Sequence, residues 1–378
     1  MFEVVVLRTN SVVNDPRVAK ETSSQVNAGF SVLILAWARE SGKGMDESRD
    51  RVAIKRLRLK APIGAPSLIL YFPLFWSWAF VQLLVSKPTV IHACDFDTMP
   101  VGLLIKMLKR ETKLVYDCFE YYPGMVYAFF KSPLRGLISA IDRVFVKTAD
   151  CVIIPCDERK KFYEDARDIW IVPNAPRVLS VPVADKKSVE FTLFYGGALE
   201  TDRGIHIMIE AAIHLGGVRL VLAGDGTLRN IVRKFSEQAQ NITYLGMLPH
   251  KDLLEKMAAA HATLAFYEAT NPNNIYAASN KVFEAMMLGV PIITNEECVS
   301  SKIVAKHNCG LVVPYGDINA LRSAISALKD NNELRRKLGE NGRIAFARQY
   351  SWDAVELDFV RKYNDLVGTR PCKGIHVK

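Results

Sequence analysis

Paired cysteines are missing from this chain. Its seven cysteines, at positions 94, 118, 151, 156, 298, 309 and 372, never stand in CxxC spacing, which argues against a zinc or dithiol redox site. Their odd number and scatter offer no disulfide framework and fit a reducing cytoplasm. Cys151 and Cys156 flank a strand end and read as packing thiols. No G-x-G-x-x-G follows the first apolar run, which counts against a dinucleotide oxidoreductase. The opening MFEVVVLRTN lacks the basic n-region and cleavage site of a secretory signal, and no low-complexity tract interrupts the chain. Acid is in deficit. The formal net charge is +9 and the pI about 9.1, favouring nucleotide phosphates, nucleic acid or an anionic membrane face without choosing among them.

What is present is an ordinary globular balance, 49% hydrophobic and 24% charged over 378 residues, long enough for about two domains. Short apolar, β-branched runs alternate with helical patterns. They stand at 3–7, 31–36, 89–93, 113–117 and 151–155, then at 191–196, 218–223, 242–245, 262–266, 291–294 and 310–313. Runs without polar alternation are strands buried on both faces, hence parallel sheets flanked by helices. Two such series predict two doubly wound α/β domains. The Pro-rich, polar stretch 172–188 marks the boundary. The expected division is 1–172, 173–352, and an amphipathic final helix in 353–378 that packs back on the first domain. Ligands of open parallel sheets bind at the carboxyl ends of the strands, so two such domains facing across a cleft would line it with the residues that follow each strand.

The stretch SNKVFEAMMLGVPIITN, 279–295, is the most informative. Ser279 or Asn280 suits an N-cap, and Gly289 with Pro291 stops the helix before the strand PIIT. Asn280, Lys281 and Glu284 share one side at three- and four-residue spacing. The helix tip offers free N–H groups to a phosphate, and a carboxylate one turn on could hold two ribose hydroxyls. A plain Lys281–Glu284 pair on a solvated edge fits the same spacing. Elsewhere, FYGGALETDRG places Gly196, Gly197 and Arg203 in a turn after a strand, and LVLAGDGTLR repeats the plan with Gly224, Asp225 and Gly226. Glycines let backbone approach a ligand, and an arginine there could reach a diphosphate.

With these motifs in order, joined by NDPRVAKETSSQVNAGF (14–30), VIHACDFDTMPVGLL (90–104), KLVYDCFEYYP (113–123), VPNAP (172–176) and NITYLGMLPHKDLLEKM (241–257), the chain resembles family 4 retaining glycosyltransferases of the GT-B fold nearly end to end. The subgroup it resembles carries an N-K-x-x-E signature, matched by Asn280 to Glu284. The resemblance implies a nucleotide-sugar donor held mainly by the second domain and an acceptor held mainly by the first. Glu284 matches the acid that binds the donor ribose, the Lys281 and Val282 amides would face the diphosphate, and Arg203 matches the base that neutralises it. Ser279, Met247 and Tyr276 fall among the implied donor contacts. Tyr276 stands where the family carries the first acid of E-x7-E, Ala198 where it carries an arginine, and Phe119 where it often carries a histidine.

On the acceptor side the resemblance places Asp95, Asp97, Asp117, Phe119 and Glu120. Asp95-Phe96-Asp97 reads as the D-x-D metal signature of the other large glycosyltransferase fold, but its position favours Asp95 as an acceptor contact or base and Asp97 as the cap of the next helix, with no metal. His92 reads as a packed strand residue. Arg17 could close onto the donor phosphates or pair with Asp15.

Residues 61–86 carry no charged side chain and follow the basic run Arg49–Lys60. By length the segment could span a membrane, but a span would separate strands of one sheet, and Pro73 interrupts it. A core helix is one reading. The other places Phe72, Phe75, Trp76 and Trp78 in a lipid interface with Arg56 and Arg58 on anionic headgroups.

The expectation is a metal-independent hexosyltransferase. It takes a nucleotide sugar as substrate, UDP favoured over GDP, and needs no cofactor. It passes the sugar to a lipid-linked or cell-surface glycan, without nucleic acid, in the cytoplasm or at the inner membrane face. A nucleotide-sugar epimerase of the same fold and a non-catalytic nucleotide-sugar binder are the alternatives.

Overall fold

The computed structural model describes residues 2–13, 15–40, 45–62, 66–125, 132–178, 189–270 and 272–368. The chain divides into two compact units, Met1–Pro173 with Val355–Lys378, and Asn174–Ala354. The expected boundary stretch from 179 to 188 and the tail from 369, Cys372 included, lie outside the described residues.

The first unit holds β1 (Val4–Arg8), β2 (Val32–Trp37), β3 (Glu47–Arg49), β4 (Val52–Leu57), β5 (Val90–Cys94), β6 (Lys113–Asp117), β7 (Cys151–Ile154) and β8 (Ile169–Ile171). They form one sheet in the order β3-β4-β2-β1-β5-β6-β7-β8, parallel except where β3 meets β4. Helices α1 (Pro16–Asn27), α2 (Phe72–Ser86), α3 (Met99–Leu108), the single turn α4 (Tyr122–Met125) and α5 (Ser132–Thr148) connect them. The second unit holds β9 (Phe191–Gly196), β10 (Val218–Ala223), β11 (Ile242–Tyr244), β12 (Ala262–Ala265), β13 (Ile292–Asn295) and β14 (Gly310–Val313), in the order β11-β10-β9-β12-β13-β14, all parallel. Its helices are α6 (Ile205–Ile213), α7 (Arg229–Gln238), α8 (His250–Ala259), the turn α9 (Pro272–Ile275), α10 (Asn280–Leu288), α11 (Val299–His307), α12 (Ile318–Asp330) and α13 (Asn332–Ala345). The last helix, α14 (Trp352–Val367), belongs to the first unit from Val355 on.

The central strands are apolar on both faces because helices cover both. Val4 to Leu7, β2 and β5 are buried throughout. Each unit has its own core: Val5, Leu33, Trp37, Phe75 and Leu83 in the first, and Leu193, Tyr195, Leu264, Phe266 and Ile293 in the second. At roughly 1.5–3 kcal/mol per fully buried side chain, these two clusters dominate the stability of each unit. Helix starts are locally encoded: Asp15 accepts from the Val18 amide ahead of Pro16 in α1, and Asp317 and Asn331 cap α12 and α13 in the same way.

Strand order fixes where ligands can sit. β1 lies between β2 and β5, and the connections leave it in opposite directions; β9 lies likewise between β10 and β12. A crevice opens at the carboxyl ends of such strands. The loops after β1 and β5 therefore meet in the first unit, and the loops after β9 and β12 in the second.

Candidate active site

In the second unit the reversal of strand order collects two cations on one ring. Tyr267 follows β12. The Arg203 guanidinium lies over its ring, 4.9 Å from the centroid, and the Lys281 ammonium lies 5.5 Å from it. Lys281 also lies 5.1 Å from the Tyr195 ring, with its Nζ 3.4 Å from the Tyr267 hydroxyl. Arg203 is oriented through Nη1, which donates to Asn274 Oδ1 at 2.6 Å and to Asp202 Oδ2 at 3.1 Å. Asn274 is itself fixed, giving its amide to Asp202 and to the Glu268 carbonyl. Two cations share this site against one carboxylate, which leaves it electropositive.

The glycines around it are explained by packing. A Cβ on Gly197 would come within 2.6 Å of Lys281 Cε, one on Gly224 within 1.8 Å of the Gly197 carbonyl oxygen, and one on Gly226 within 2.5 Å of the Leu199 carbonyl oxygen. All three have positive φ. The two glycine turns thus pack backbone to backbone, and Gly197 leaves the space that Lys281 occupies. Gly196 ends β9 under Leu253. Asp225 accepts from the Gly226 amide and faces Arg229, and Met247 is exposed.

Helix α10 differs from its sequence reading in three ways. Ser279 is the N-cap residue but makes no side-chain cap; its Oγ meets the Tyr267 hydroxyl at 2.5 Å. The Val282 amide is spent on the Ser279 carbonyl at 3.0 Å, so it does not face a ligand. Lys281 and Glu284 form no pair. Lys281 turns to the tyrosines, while Glu284, buried, takes His250 Nε2 on Oε1 at 2.8 Å. That hydrogen bond raises the His250 imidazole above its ordinary range, against partial burial. Asn280 is exposed at the helix tip. Tyr276 is half-buried between α9 and α10, its amide on the Pro272 carbonyl. Tyr267, Tyr195, Asn274 and His250 were not singled out from sequence. Only the place of Tyr267 after an apolar run could have marked it.

In the first unit several expected ligand residues are structural. Arg17 is buried. It grips Asp117 with Nε at 3.2 Å and Nη2 at 2.7 Å, donates Nη1 to the Val172 carbonyl at 3.1 Å, and meets Glu21 at 3.1 Å. It does not pair with Asp15, whose partner is Arg8 at 2.9 Å. Asp117 is fully buried and unavailable to an acceptor; burial would raise it, but Arg17 and His92 hold it below its usual range. His92 bridges Asp117 and the Tyr363 hydroxyl of α14.

His92, Cys94 and Asp117 present ligand atoms within 4.8 Å of one another, yet they do not suit a metal. Arg17 occupies both Asp117 oxygens, and burial pushes the Cys94 thiol far up, keeping it protonated.

Asp95, at φ +66°, uses its carboxylate internally: one oxygen pairs with Arg8, the other accepts the Phe119 and Glu120 amides at 3.0 and 3.3 Å. It is not placed as a base. Asp97 caps no helix; the N-cap of α3 is Thr98. Its Oδ2 accepts from Thr9 Oγ1 at 2.5 Å. Burial and the charge of Asp95 push its carboxyl up to about 6. Phe119 is clamped between Arg8 and Arg17, 4.3 and 4.6 Å from its ring centroid, and Glu120 is exposed, 3.9 Å from Arg159.

The interfacial residues also shift. Phe75 is fully buried and stacks on Trp37 at 5.5 Å. Trp76 stacks on Phe72 and donates Nε1 to the Asp97 carbonyl at 2.7 Å, and Trp78 packs against Phe75. Arg56 is buried on Ser11, Met45 and Glu47. Arg58 alone of that group is exposed, 4.0 Å from Asp46.

Residues 16–182 match the model for a glycosyl transferase 4-like domain, and residues 181–345 that for glycosyl transferases group 1. The two matches follow one another along the chain. Among curated relatives, a lipopolysaccharide core biosynthesis glycosyltransferase, LpsE, of Rhizobium meliloti is 22% identical over 60% of this chain and 66% of its own. A phosphatidyl-myo-inositol mannosyltransferase of Mycobacterium leprae is 25% identical over 50% and 49%. The chain thus spans between about half and two thirds of the length of these relatives. Among solved structures, a sucrose-phosphate synthase from Thermosynechococcus elongatus superposes with a TM-score of 0.79 at 18% identity, covering 96% of this chain and 99% of that one. Anabaena Alr3699/HepE in complex with UDP gives 0.70 at 15%, covering 96% and 100%. These likenesses establish the GT-B fold, two α/β units each built on a parallel sheet.

Proposed function

We propose that the chain is a retaining, metal-independent glycosyltransferase of the N-K-x-x-E subgroup. It moves a hexose from a nucleotide-diphosphate sugar, a UDP-sugar before a GDP-sugar, to a lipid-linked or cell-surface glycan. The observation that carries this is the convergence of Arg203 and Lys281 on the Tyr267 ring where the second sheet reverses its strand order. The Asn280 and Lys281 amides that open α10, which make no hydrogen bond among the described residues, add N–H donors to that site, and Glu284 Oε2, which likewise accepts none among them, is available to the ribose. The naming of relatives after lipopolysaccharide and phosphatidylinositol glycans supports the acceptor class, and the UDP complex of a neighbour in fold supports the base.

The chemistry follows from charge. The anomeric C1–O bond breaks, and its electron pair stays on the diphosphate while positive charge grows on C1. An acceptor hydroxyl oxygen attacks C1 from the leaving group's side, and its proton passes to the departing phosphate oxygen. Arg203 and Lys281 stabilise the developing charge, at roughly 3–4 kcal/mol for a key donor. Membrane association would recruit the acceptor at the inner face of the cytoplasmic membrane. Incubation with UDP-, GDP- and dTDP-sugars in EDTA, with and without lipid extracts and glycans, tests the reading. Transfer with retained anomeric configuration is expected. Donor conversion to an epimer without acceptor, or a strict requirement for Mn²⁺ or Mg²⁺, would contradict it.

A further inference from the structure

A cleft in the second unit gathers positive charge that no acid balances. It has a volume of about 310 Å³ and lies between the ends of α11 and α13. Lys306, His307 and Asn308 line one side, and Asn341, Arg348 and Gln349 the other. Arg348 and Gln349 stand on Phe346–Tyr350, a π-helical turn that continues α13, a geometry frequent at functional sites. Among the described residues no carboxylate lines the cleft, and neither the Lys306 ammonium nor the Arg348 guanidinium has a hydrogen bond or ion pair.

Part of this charge has a local reason. Lys306 and His307 close α11, where cations suit the carbonyl end of a helix. Arg348 comes from a separate element, which the α11 carbonyls do not explain. The charge is felt inside the cleft: partial burial and Lys306 hold the His307 imidazole below its ordinary range. The two walls are tied together. His307 Nε2 lies 2.8 Å from the Tyr350 hydroxyl, with the rings edge to face at 5.4 Å, and Asn341 Nδ2 donates to the Asn308 carbonyl at 2.9 Å. His307 Nδ1 makes no hydrogen bond among the described residues. The cleft is thus held in shape by contacts that leave its cations and one imidazole nitrogen for a ligand.

We propose that this cleft binds a soluble phosphate monoester of the size of a sugar phosphate, with Lys306, Arg348 and His307 Nδ1 donating to the phosphate oxygens. Phosphate oxygens only accept, and the lining offers cations and N–H donors to meet them. A metal ion or an organic cation would find no anionic ligand there. The volume lies at the lower end of small-molecule sites, roughly 300–1,000 Å³, and exceeds what a bare inorganic anion fills. Ile344 is the one large exposed apolar side chain in the lining, which suits a soluble ligand and not a bilayer. None of these residues belongs to the cation site at Tyr267, so the proposal does not depend on the donor reading.

Histidine imidazole NMR on the full chain tests this, with glucose 1-phosphate and glucose 6-phosphate as probes and the His307 signal assigned by its loss in His307→Asn. At least one probe is expected to bind saturably and to raise the His307 midpoint by roughly one unit, because a neighbouring anion favours the charged imidazole. Sodium chloride at equal ionic strength should leave that midpoint in place. Lys306→Gln and Arg348→Gln should each weaken the binding roughly tenfold or more at an unchanged melting temperature, and the Lys281→Ala, Arg203→Ala double variant should respond at His307 as the wild type does. A His307 signal unmoved by both probes, equal affinity in the wild type and both cleft variants, or a response that the double variant loses would each overturn the inference. So would binding confined to vesicles rich in phosphatidic acid, because the ligand would then be a membrane.

Discussion

Lys281 owes its position to an atom that is not there. Only glycine at 197 lets the lysine chain pass over the turn after β9, and the tyrosines at 195 and 267 then hold the ammonium by their ring faces and one hydroxyl. Arg203 reaches the same ring because Gly204, at φ +65°, turns the chain into α6 and because Asn274 fixes one guanidinium nitrogen. Removing this charge takes away transition-state stabilisation while the fold persists. Arg203→Ala should therefore lower turnover roughly a hundredfold or more with an unchanged melting temperature, read by steady-state transfer; a near-normal rate would remove Arg203 from the mechanism.

The place of Arg203 in a glycine turn and of Lys281 and Glu284 on a helix was legible from spacing because glycine turns and helix starts are local signals. The partner of each was not. Tyr267 lies over sixty residues from Arg203, and nothing local distinguishes it from another aromatic after a strand. Arg17 was misread for a related reason: an exposed-looking arginine in a polar motif is buried by a partner a hundred residues away, Asp117.

At the scale of elements, every short apolar run read as a strand is one, and three strands escaped. β4 alternates, with Lys55 exposed and Arg56 buried beside the short antiparallel edge strand β3, so its period was hidden inside a basic run. β8 is three residues long. Helix α2 shows the opposite failure, since it is apolar around its whole circumference. It buries Phe75, Ala79 and Leu83 at four-residue spacing and exposes Leu74, Val81 and Val85.

Its neighbour α3 exposes Leu104, Met107 and Leu108. Among the described residues no helix is long and apolar enough to cross a membrane, but this outer surface is the one an interfacial protein would lay on lipid. The net charge of +9 favours an anionic surface. Val81→Glu with Val85→Glu should abolish flotation with vesicles containing a quarter phosphatidylglycerol in low salt, whereas Trp78→Ala should change it far less. No flotation of the wild-type chain would end the membrane reading.

The whole molecule carries buried carboxyls whose protonation favours folding. Burial pushes Asp97 and Asp142 up to about 6, and burial with the charge of Asp117 pushes Glu21 up to about 7. Unfolded carboxyls titrate near about 4, so between these values the folded chain binds more protons, and acidification stabilises it. His250, raised by Glu284, acts in the same sense: its contribution is present at low pH and lost as pH rises through its folded value. Asp117, held low, opposes this only in strong acid. The apparent melting temperature by scanning fluorimetry should therefore rise as pH falls from 8 to about 5.5; a steady fall over that range would contradict the assignment.

The account depends on one claim, that the cations gathered at Tyr267 hold a nucleotide's diphosphate. Calorimetric titration of UDP into wild type, Lys281→Ala and the Lys281→Ala, Arg203→Ala double variant tests it most directly. UDP should bind the wild type, weaken at least tenfold with the first substitution and be undetectable with both, while uridine binds all three alike. Equal UDP affinity in the three proteins would contradict the claim.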